Sequence, residues 1–168
     1  TPQSDLKEFF HEAPMLSLDN AFEPEDLYDF EKRTFNKIKK QTLFYSCEPK
    51  IDGVAVSLIY EKGKFIKAGT RGDGEQGEDI THNVKTIKQI PLMLNGKNHP
   101  DKIEIRGEIY CEKTAFDNFN KEYAKSGQKT FANPRNFVAG SIRQLNPEIA
   151  AARPLKIQLH SLGYVDQK

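Results

Sequence analysis

The chain has no tryptophan, only two methionines and only two cysteines among its 168 residues. Cys47 and Cys111 are too few for a disulfide framework or a four-thiolate zinc site, and neither stands in a CxxC spacing. A reducing compartment suits such a chain. No apolar run approaches the length of a membrane-spanning helix, which predicts a water-soluble protein. An excess of one charge is also lacking. The 25 Lys and Arg face 24 Asp and Glu, a formal charge of +1, so affinity for nucleic acid must come from a local basic face. Thr1 to Phe10 lack the basic and apolar blocks of a signal peptide, and no initiator Met stands first, so the chain is expected to be an excised piece.

What is present is an ordinary globular composition, 37% hydrophobic and 29% charged, in a length suited to one domain spanning residues 1–168. Glu23-Pro24 opens a segment in which Leu27, Phe30, Thr34 and Ile38 recur at near-helical spacing. Thr42 to Tyr60 reads as two strands broken at Pro49 to Gly53. Glu61-Lys62-Gly63 then turns into a third strand, Lys64 to Gly69. Beyond the glycine-rich stretch Thr70 to Gly77, Glu78 and Asp79 start a helix with Val84 and Ile87 as its apolar stripe. Ile103 to Tyr110 alternates as a strand. A helix from about Thr114 sets Phe116, Phe119 and Tyr123 on one side and stops at Gly127; another runs from Asn133-Pro134 to about Leu145. Leu155 to Tyr164 is the closing strand. Strands grouped as hairpins with helices between groups predict an α+β fold of antiparallel sheets with packed helices.

The chemistry starts at Glu48-Pro49-Lys50-Ile51-Asp52-Gly53. In an extended backbone, positions 48, 50 and 52 share one face, which sets a lysine between two carboxylates. A lysine of ordinary pKa about 10.4 is neutral in roughly one molecule in a few thousand at pH 7, and acidic flankers lower that fraction. A nucleophilic Lys50 therefore needs burial, a metal or another cation to release its proton. The competing reading of the hexapeptide is a solvated charge cluster at a strand end. Gly72, Gly74 and Gly77 satisfy GxGxxG, but the strand before them belongs to a hairpin and not to a parallel βαβ unit, so a dinucleotide-binding fold is rejected. Arg71-Gly72-Asp73, the adhesion tripeptide, is read as chance in a chain without disulfides or export signal. His11, His82 and His99 lack metal-ligand spacing and are read as surface or capping residues.

Lys-x-Asp-Gly between strands resembles the nucleophile motif of the covalent nucleotidyltransferases, the DNA and RNA ligases and capping enzymes. Further stretches narrow the resemblance to the bacterial NAD-dependent DNA ligases. They are Pro14-Met15-Leu16-Ser17-Leu18-Asp19-Asn20, Thr70 to Thr81, Ile105-Arg106-Gly107-Glu108-Ile109, Phe131 to Asn136, and Ala139 to Leu145. The resemblance runs from about residue 11 to 164. It implies the nucleotidyltransferase (adenylation) fold, incomplete at its C-terminal side. The small N-terminal domain that grips nicotinamide mononucleotide and the C-terminal OB, zinc-finger, helix-hairpin-helix and BRCT domains are expected to lie outside this chain.

The resemblance also implies a mechanism. Lys50 attacks NAD to form a lysyl-adenylate, the AMP passes to the 5′-phosphate of a DNA nick, and the 3′-hydroxyl seals the strand. Glu48 is expected at the adenine amino group, Arg71 and Glu108 at the ribose, and Ser17 and Leu18 in the nucleotide pocket on a strand preceding the first helix. Asp52 with Glu108 is expected to support Mg2+, directly or through water. His160 stands near where many relatives pack a tyrosine on adenine. Arg135 and Arg143, eight residues apart on one predicted helix, are expected at DNA phosphates, with Arg153 and Lys156 extending that basic edge. The partners implied are NAD and nicked double-stranded DNA, with no membrane, for a monomer in the bacterial cytosol or nucleoid.

Each residue also has a structural reading: Arg71 as a turn residue, Glu108 as a solvent-facing strand position, Ser17 as part of a strand whose helix is capped by Asp19 or Asn20, and the arginines as a solvated helix face. Because the family's later lysine motifs are missing, the piece is expected to self-adenylate poorly and not to seal nicks. Two other functions stay open on sequence: an ATP- or GTP-using nucleotidyltransferase, and a non-catalytic DNA-binding or scaffold remnant.

Overall fold

A computed structural model describes residues 6–39 and 42–166. The chain forms two compact units, one made of Leu16–Lys50 and the other of Thr1–Met15 with Ile51–Lys168.

The smaller unit is built on helix α1 (Pro24–Ile38), which Pro24 starts in its first turn. The Asp26 carboxylate accepts the backbone N–H groups of Phe22 (2.8 Å) and Glu23 (3.1 Å), and these bonds hold its pKa below the ordinary value. Lys39 closes the helix in the left-handed region at φ 51°. Residues 42–50 do not form the first of the two strands expected between Thr42 and Tyr60. The alternation of Leu43, Tyr45 and Cys47 suits any extended chain, and a strand also needs a ladder partner. This segment is instead tied to α1 by side chains: the Tyr45 ring lies 6.5 Å from Phe30 and its hydroxyl donates to Glu31 at 3.2 Å. Ser17 and Leu18 precede α1 in irregular chain, not in a strand.

The larger unit carries strands β1 (Glu8–Phe10), β2 (Val54–Glu61), β3 (Lys64–Thr70), β4 (Gln76–Glu78), β5 (Lys102–Tyr110) and β6 (Lys156–Val165). Its helices are α2 (Thr81–Val84), α3 (Lys113–Lys125), α4 (Pro134–Ile142) and α5 (Pro147–Ala151). All pairings are antiparallel, in a four-stranded sheet ordered β3-β2-β5-β6 and a two-stranded ladder of β1 with β4. The α+β class is therefore the observed one. β2 turns into β3 at Lys62 and Gly63, both at positive φ (48° and 80°), as a two-residue hairpin requires.

The sheet is buried on both faces along β2 and the end of β3, while β6 is exposed from Gln158 to Leu162. Val56, Leu58 and Tyr60 of β2 and Ile109 of β5 pack with Phe116, Phe137, Val138 and Ile142 from the helices. Burial pushes the Tyr60 hydroxyl up to about 12, and it donates to the Pro91 carbonyl at 2.9 Å. On the opposite face Ile59 and Phe9 are 1% exposed, and Phe9 lies so close over Gly69 that a Cβ there would enter its ring.

Helix ends follow local chemistry. Asn133 accepts the Asn136 N–H at 2.8 Å, which caps α4 beside Pro134. α4 stops at Ile142, three residues before the expected Leu145. The buried Asn83 amide donates to the carbonyls of Ile142 and Gln144, both at 2.7 Å, and so takes over the helix-end acceptors. The Asn-Pro signature recurs at Asn146-Pro147, where it opens the short α5 that periodicity misses.

Candidate functional site

In the smaller unit, Ser17, Leu18, Glu48 and Lys50 all lie in irregular chain and are exposed. Glu48 accepts the Ser46 hydroxyl at 2.9 Å.

The larger unit draws several of the selected residues to one end of its sheet. Asp52 and Gly53 lead into β2, and the Gly53 N–H donates to Glu108 Oε1 at 3.1 Å. That approach needs glycine, because a Cβ at position 53 would run into the Ile109 carbonyl. Asp52 Oδ1 lies 3.4 Å from Arg135 at the start of α4, an exposed ion pair. Glu108 sits opposite Ala55 of β2 on one side and Gln158 of β6 on the other. Arg71 extends the same row. It follows Thr70, the last residue of β3, and its N–H donates to the Ala55 carbonyl at 3.1 Å. Arg71, just past the end of β3, thus continues the row of Ala55, Glu108 and Gln158 across β2, β5 and β6.

The glycine segment after Arg71 is a tight turn, and the strand before it, β3, pairs antiparallel with β2 and does not open a parallel βαβ unit. Asp73 accepts the N–H groups of Gln76 (2.8 Å) and Glu75 (2.9 Å), which lowers its pKa, and Gly72 and Gly74 take positive φ of 58° and 106°. The helix that follows, α2, has only four residues. Just ahead of it, the Asp79 carboxylate accepts the Thr81 N–H at 2.9 Å.

His160 lies at an irregularity in β6. Leu159 pairs with Gly107 and Ser161 with Arg106, which leaves His160 as the extra residue of a β-bulge, its Nδ1 2.9 Å from the Ser161 hydroxyl. Arg135 and Arg143, the two arginines expected along one helix face, stand in the first turn and at the C-terminal end of α4. Arg143 is its C-cap and pairs with Glu78 of β4 at 2.5 Å. The expected extension of the basic edge divides. Lys156 pairs with Glu112 at 2.6 Å. The Arg153 guanidinium sits 5.2–5.6 Å over the rings of Phe119, Phe131 and Phe137 and donates to Ser141 at 2.8 Å, which makes it part of the aromatic packing.

Sequence reasoning missed a buried polar hub on the Glu108 face of β5. Glu104, fully buried, accepts from Ser57 Oγ (2.7 Å), Arg106 Nε (3.0 Å) and the Tyr164 N–H (3.1 Å). Burial pushes this carboxyl up, but the Arg106 and Ser57 bonds outweigh it and hold the pKa below its ordinary value. Arg106 also donates to the carbonyls of Pro14 (3.0 Å) and Ala13 (2.6 Å). His11, expected as a surface or capping residue, has its side chain fully buried beside Glu104. A carboxylate two residues from an arginine on an alternating strand is the one local signal for this hub; nothing local marks His11.

Among the described residues no group of three or more His, Cys, Asp and Glu could hold a metal, and no helix is long and apolar enough to cross a membrane. A family model described as the NAD-dependent DNA ligase adenylation domain matches residues 3–168. A DNA ligase of Hahella chejuensis is 51% identical over 168 residues, covering 98% of this chain and 25% of that protein. DNA ligases of Methylococcus capsulatus (48% over 162 residues; 96% and 24%) and Pseudomonas aeruginosa (47% over 176 residues; 98% and 22%) align similarly. The chain spans about a quarter of the length of these relatives.

Proposed function

Because the chain belongs to the NAD-dependent DNA ligase adenylation domain family, we propose that it is the nucleotide-handling part of a ligase that seals nicked double-stranded DNA through an adenylate on Lys50. The match across residues 3–168 carries this reading.

Lys50 Nζ, once deprotonated, attacks the α-phosphorus of NAD. A P–N bond forms, the P–O bond to nicotinamide mononucleotide breaks, and that group leaves with the electron pair while the lysine proton passes to solvent. Glu48 reads the adenine amino group, Ser17 and Leu18 line the nucleotide pocket, Arg71 and Glu108 hold the ribose, and His160 offers its ring to the adenine. The AMP then moves to the 5′-phosphate of the nick, and attack by the 3′-hydroxyl expels it. Arg135 and Arg143 hold phosphates of the nicked duplex.

Two features of the larger unit support the assignments. Arg71 and Glu108 flank Ala55 in one sheet row, and Asp52 adjoins the Gly53 N–H that binds Glu108. Magnesium takes one or two carboxylates and otherwise water and phosphate oxygens, a demand that Asp52 and Glu108, linked through the Gly53 N–H, fit in number and chemistry. Asp52 and Glu108 would hold the ion, which when bound supplies charge neutralisation at the phosphates. The protein works as a monomer in the bacterial cytosol or nucleoid, in DNA replication and repair.

The test uses a full-length ligase carrying this segment, incubated with adenylate-labelled NAD and magnesium and mapped by peptide mass. One AMP on Lys50 is expected, absent from Lys50→Ala. Stoichiometric label on another residue, or none, overturns the proposal.

A further inference from the structure

The geometry points to His11 as a positioning residue for Arg71, acting through the Arg71 main chain. This inference rests on the proposed role of Arg71 in holding the NAD ribose.

His11 Nε2 lies 3.1 Å from the Thr70 carbonyl oxygen and 3.1 Å from the Arg71 carbonyl oxygen. A carbonyl only accepts, so Nε2 carries the hydrogen and shares it between the two oxygens. The His11 N–H donates to the Glu75 carbonyl at 3.0 Å, so one residue grips the glycine turn at its entry and near its exit. The ring itself is fixed. Phe9 meets it edge-on at 5.1 Å and 70°. Its buried Nδ1 has no hydrogen-bond partner among the described residues and lies 3.8 Å from Glu104 Oε1. Glu104 is in turn held by Ser57, Arg106 and the Tyr164 N–H.

The Arg71 main chain is therefore held on several sides. Its N–H donates to Ala55, and its carbonyl accepts from Gly74 N–H at 3.0 Å and from His11. A guanidinium works at the end of a lever about 6 Å long. A backbone rotation of about 10° moves it by about 1 Å, a displacement that is costly wherever a group must meet its target in fixed geometry. His11 removes that freedom from outside the loop, and the glycines around Arg71 cannot supply the restraint themselves.

The experiment measures self-adenylation kinetics with NAD in a full-length ligase carrying this segment, for His11→Phe, His11→Gln, His11→Asn, Arg71→Ala and the His11→Phe/Arg71→Ala double variant. Phenylalanine keeps the ring against Phe9 and loses the donor, so KM for NAD should rise roughly five- to tenfold, with kcat changed less. The glutamine amide reaches the Nε2 position with two hydrogens and should restore KM to within about twofold. Asparagine reaches only the Nδ1 position and should not; if His11→Phe fails to fold, this pair carries the same test. In the Arg71→Ala background His11→Phe should add nothing further to KM.

An Arg71→Ala variant with unchanged KM overturns the role of Arg71 itself. If Arg71→Ala raises KM but His11→Phe does not, or multiplies the effect in the double variant, the positioning role is overturned while that of Arg71 stands. A glutamine variant as poor as the phenylalanine one, at equal melting temperature, also overturns it.

Discussion

Replacing Glu104 by glutamine tests the buried hub, because it keeps the side-chain shape and removes only charge and acceptor capacity. The two carboxylate oxygens receive Ser57 Oγ and Arg106 Nε on one side and Arg106 Nη and the Tyr164 N–H on the other. A glutamine NH2 must face donors whichever way it is turned. Arg106, 12% exposed, would keep its charge and lose its ionic partner Glu104 while still tied to Ala13 and Pro14. Removing one member of a buried pair costs about 3–5 kcal/mol. At about 2–4 °C per kcal/mol for a chain of this size, the melting temperature should fall by roughly 6–20 °C.

The pH dependence gives a second check on the same variant. The folded-state pKa of Glu104 lies below its ordinary 4.5, so its contribution is fully present above that value and is lost as pH falls through the folded pKa. The gap between wild type and Glu104→Gln should therefore be widest near neutrality and close below about pH 4.5. Melts followed by circular dichroism from pH 7 down to pH 3 read both effects. A melting temperature within about 1 °C of wild type at pH 7, or a gap that stays constant down to pH 3, would refute the reasoning.

Gly53→Ala should push a methyl group into the Ile109 carbonyl and lengthen the bond to Glu108, at a cost of about 1–3 kcal/mol in urea unfolding together with lost adenylation; wild-type values for both would contradict the close approach. Arg135→Ala in a full-length ligase should weaken nicked-DNA binding and lower the slope of log K against log salt by about one; an unchanged slope counts against a phosphate contact. In an ultraviolet titration of the six tyrosines, one should ionise near 12, and Tyr60→Phe should delete that step. Because the folded pKa is raised from 10, stability conferred by the neutral phenol is present below pH 10 and lost between about 10 and 12, so Tyr60→Phe should flatten the loss over that range.

Elements whose cause is local were legible in the sequence. Pro24 and Asn133-Pro134 marked helix starts, Lys62-Gly63 marked the hairpin turn, and the alternation of β5 separated Ile103, Ile105 and Ile109 from Glu104, Arg106 and Glu108. The motifs that identify the family were equally legible, because they are short runs of side chains in fixed order. The strand expected at 42–48 failed for the complementary reason: periodicity shows that a segment can be extended but not that a neighbour is there to bond it.

By itself, then, the sequence determined the secondary-structure grammar, the family and the candidate nucleophile, since each depends on residues adjacent along the chain. Tertiary structure decided the pairing of β1 with β4, the end of α4 at Ile142, the seat of Arg153 among three rings, and the burial of His11 beside Glu104. Each of these depends on a group far away in sequence that satisfies a hydrogen bond or fills a space, and no local pattern encodes which distant group will arrive.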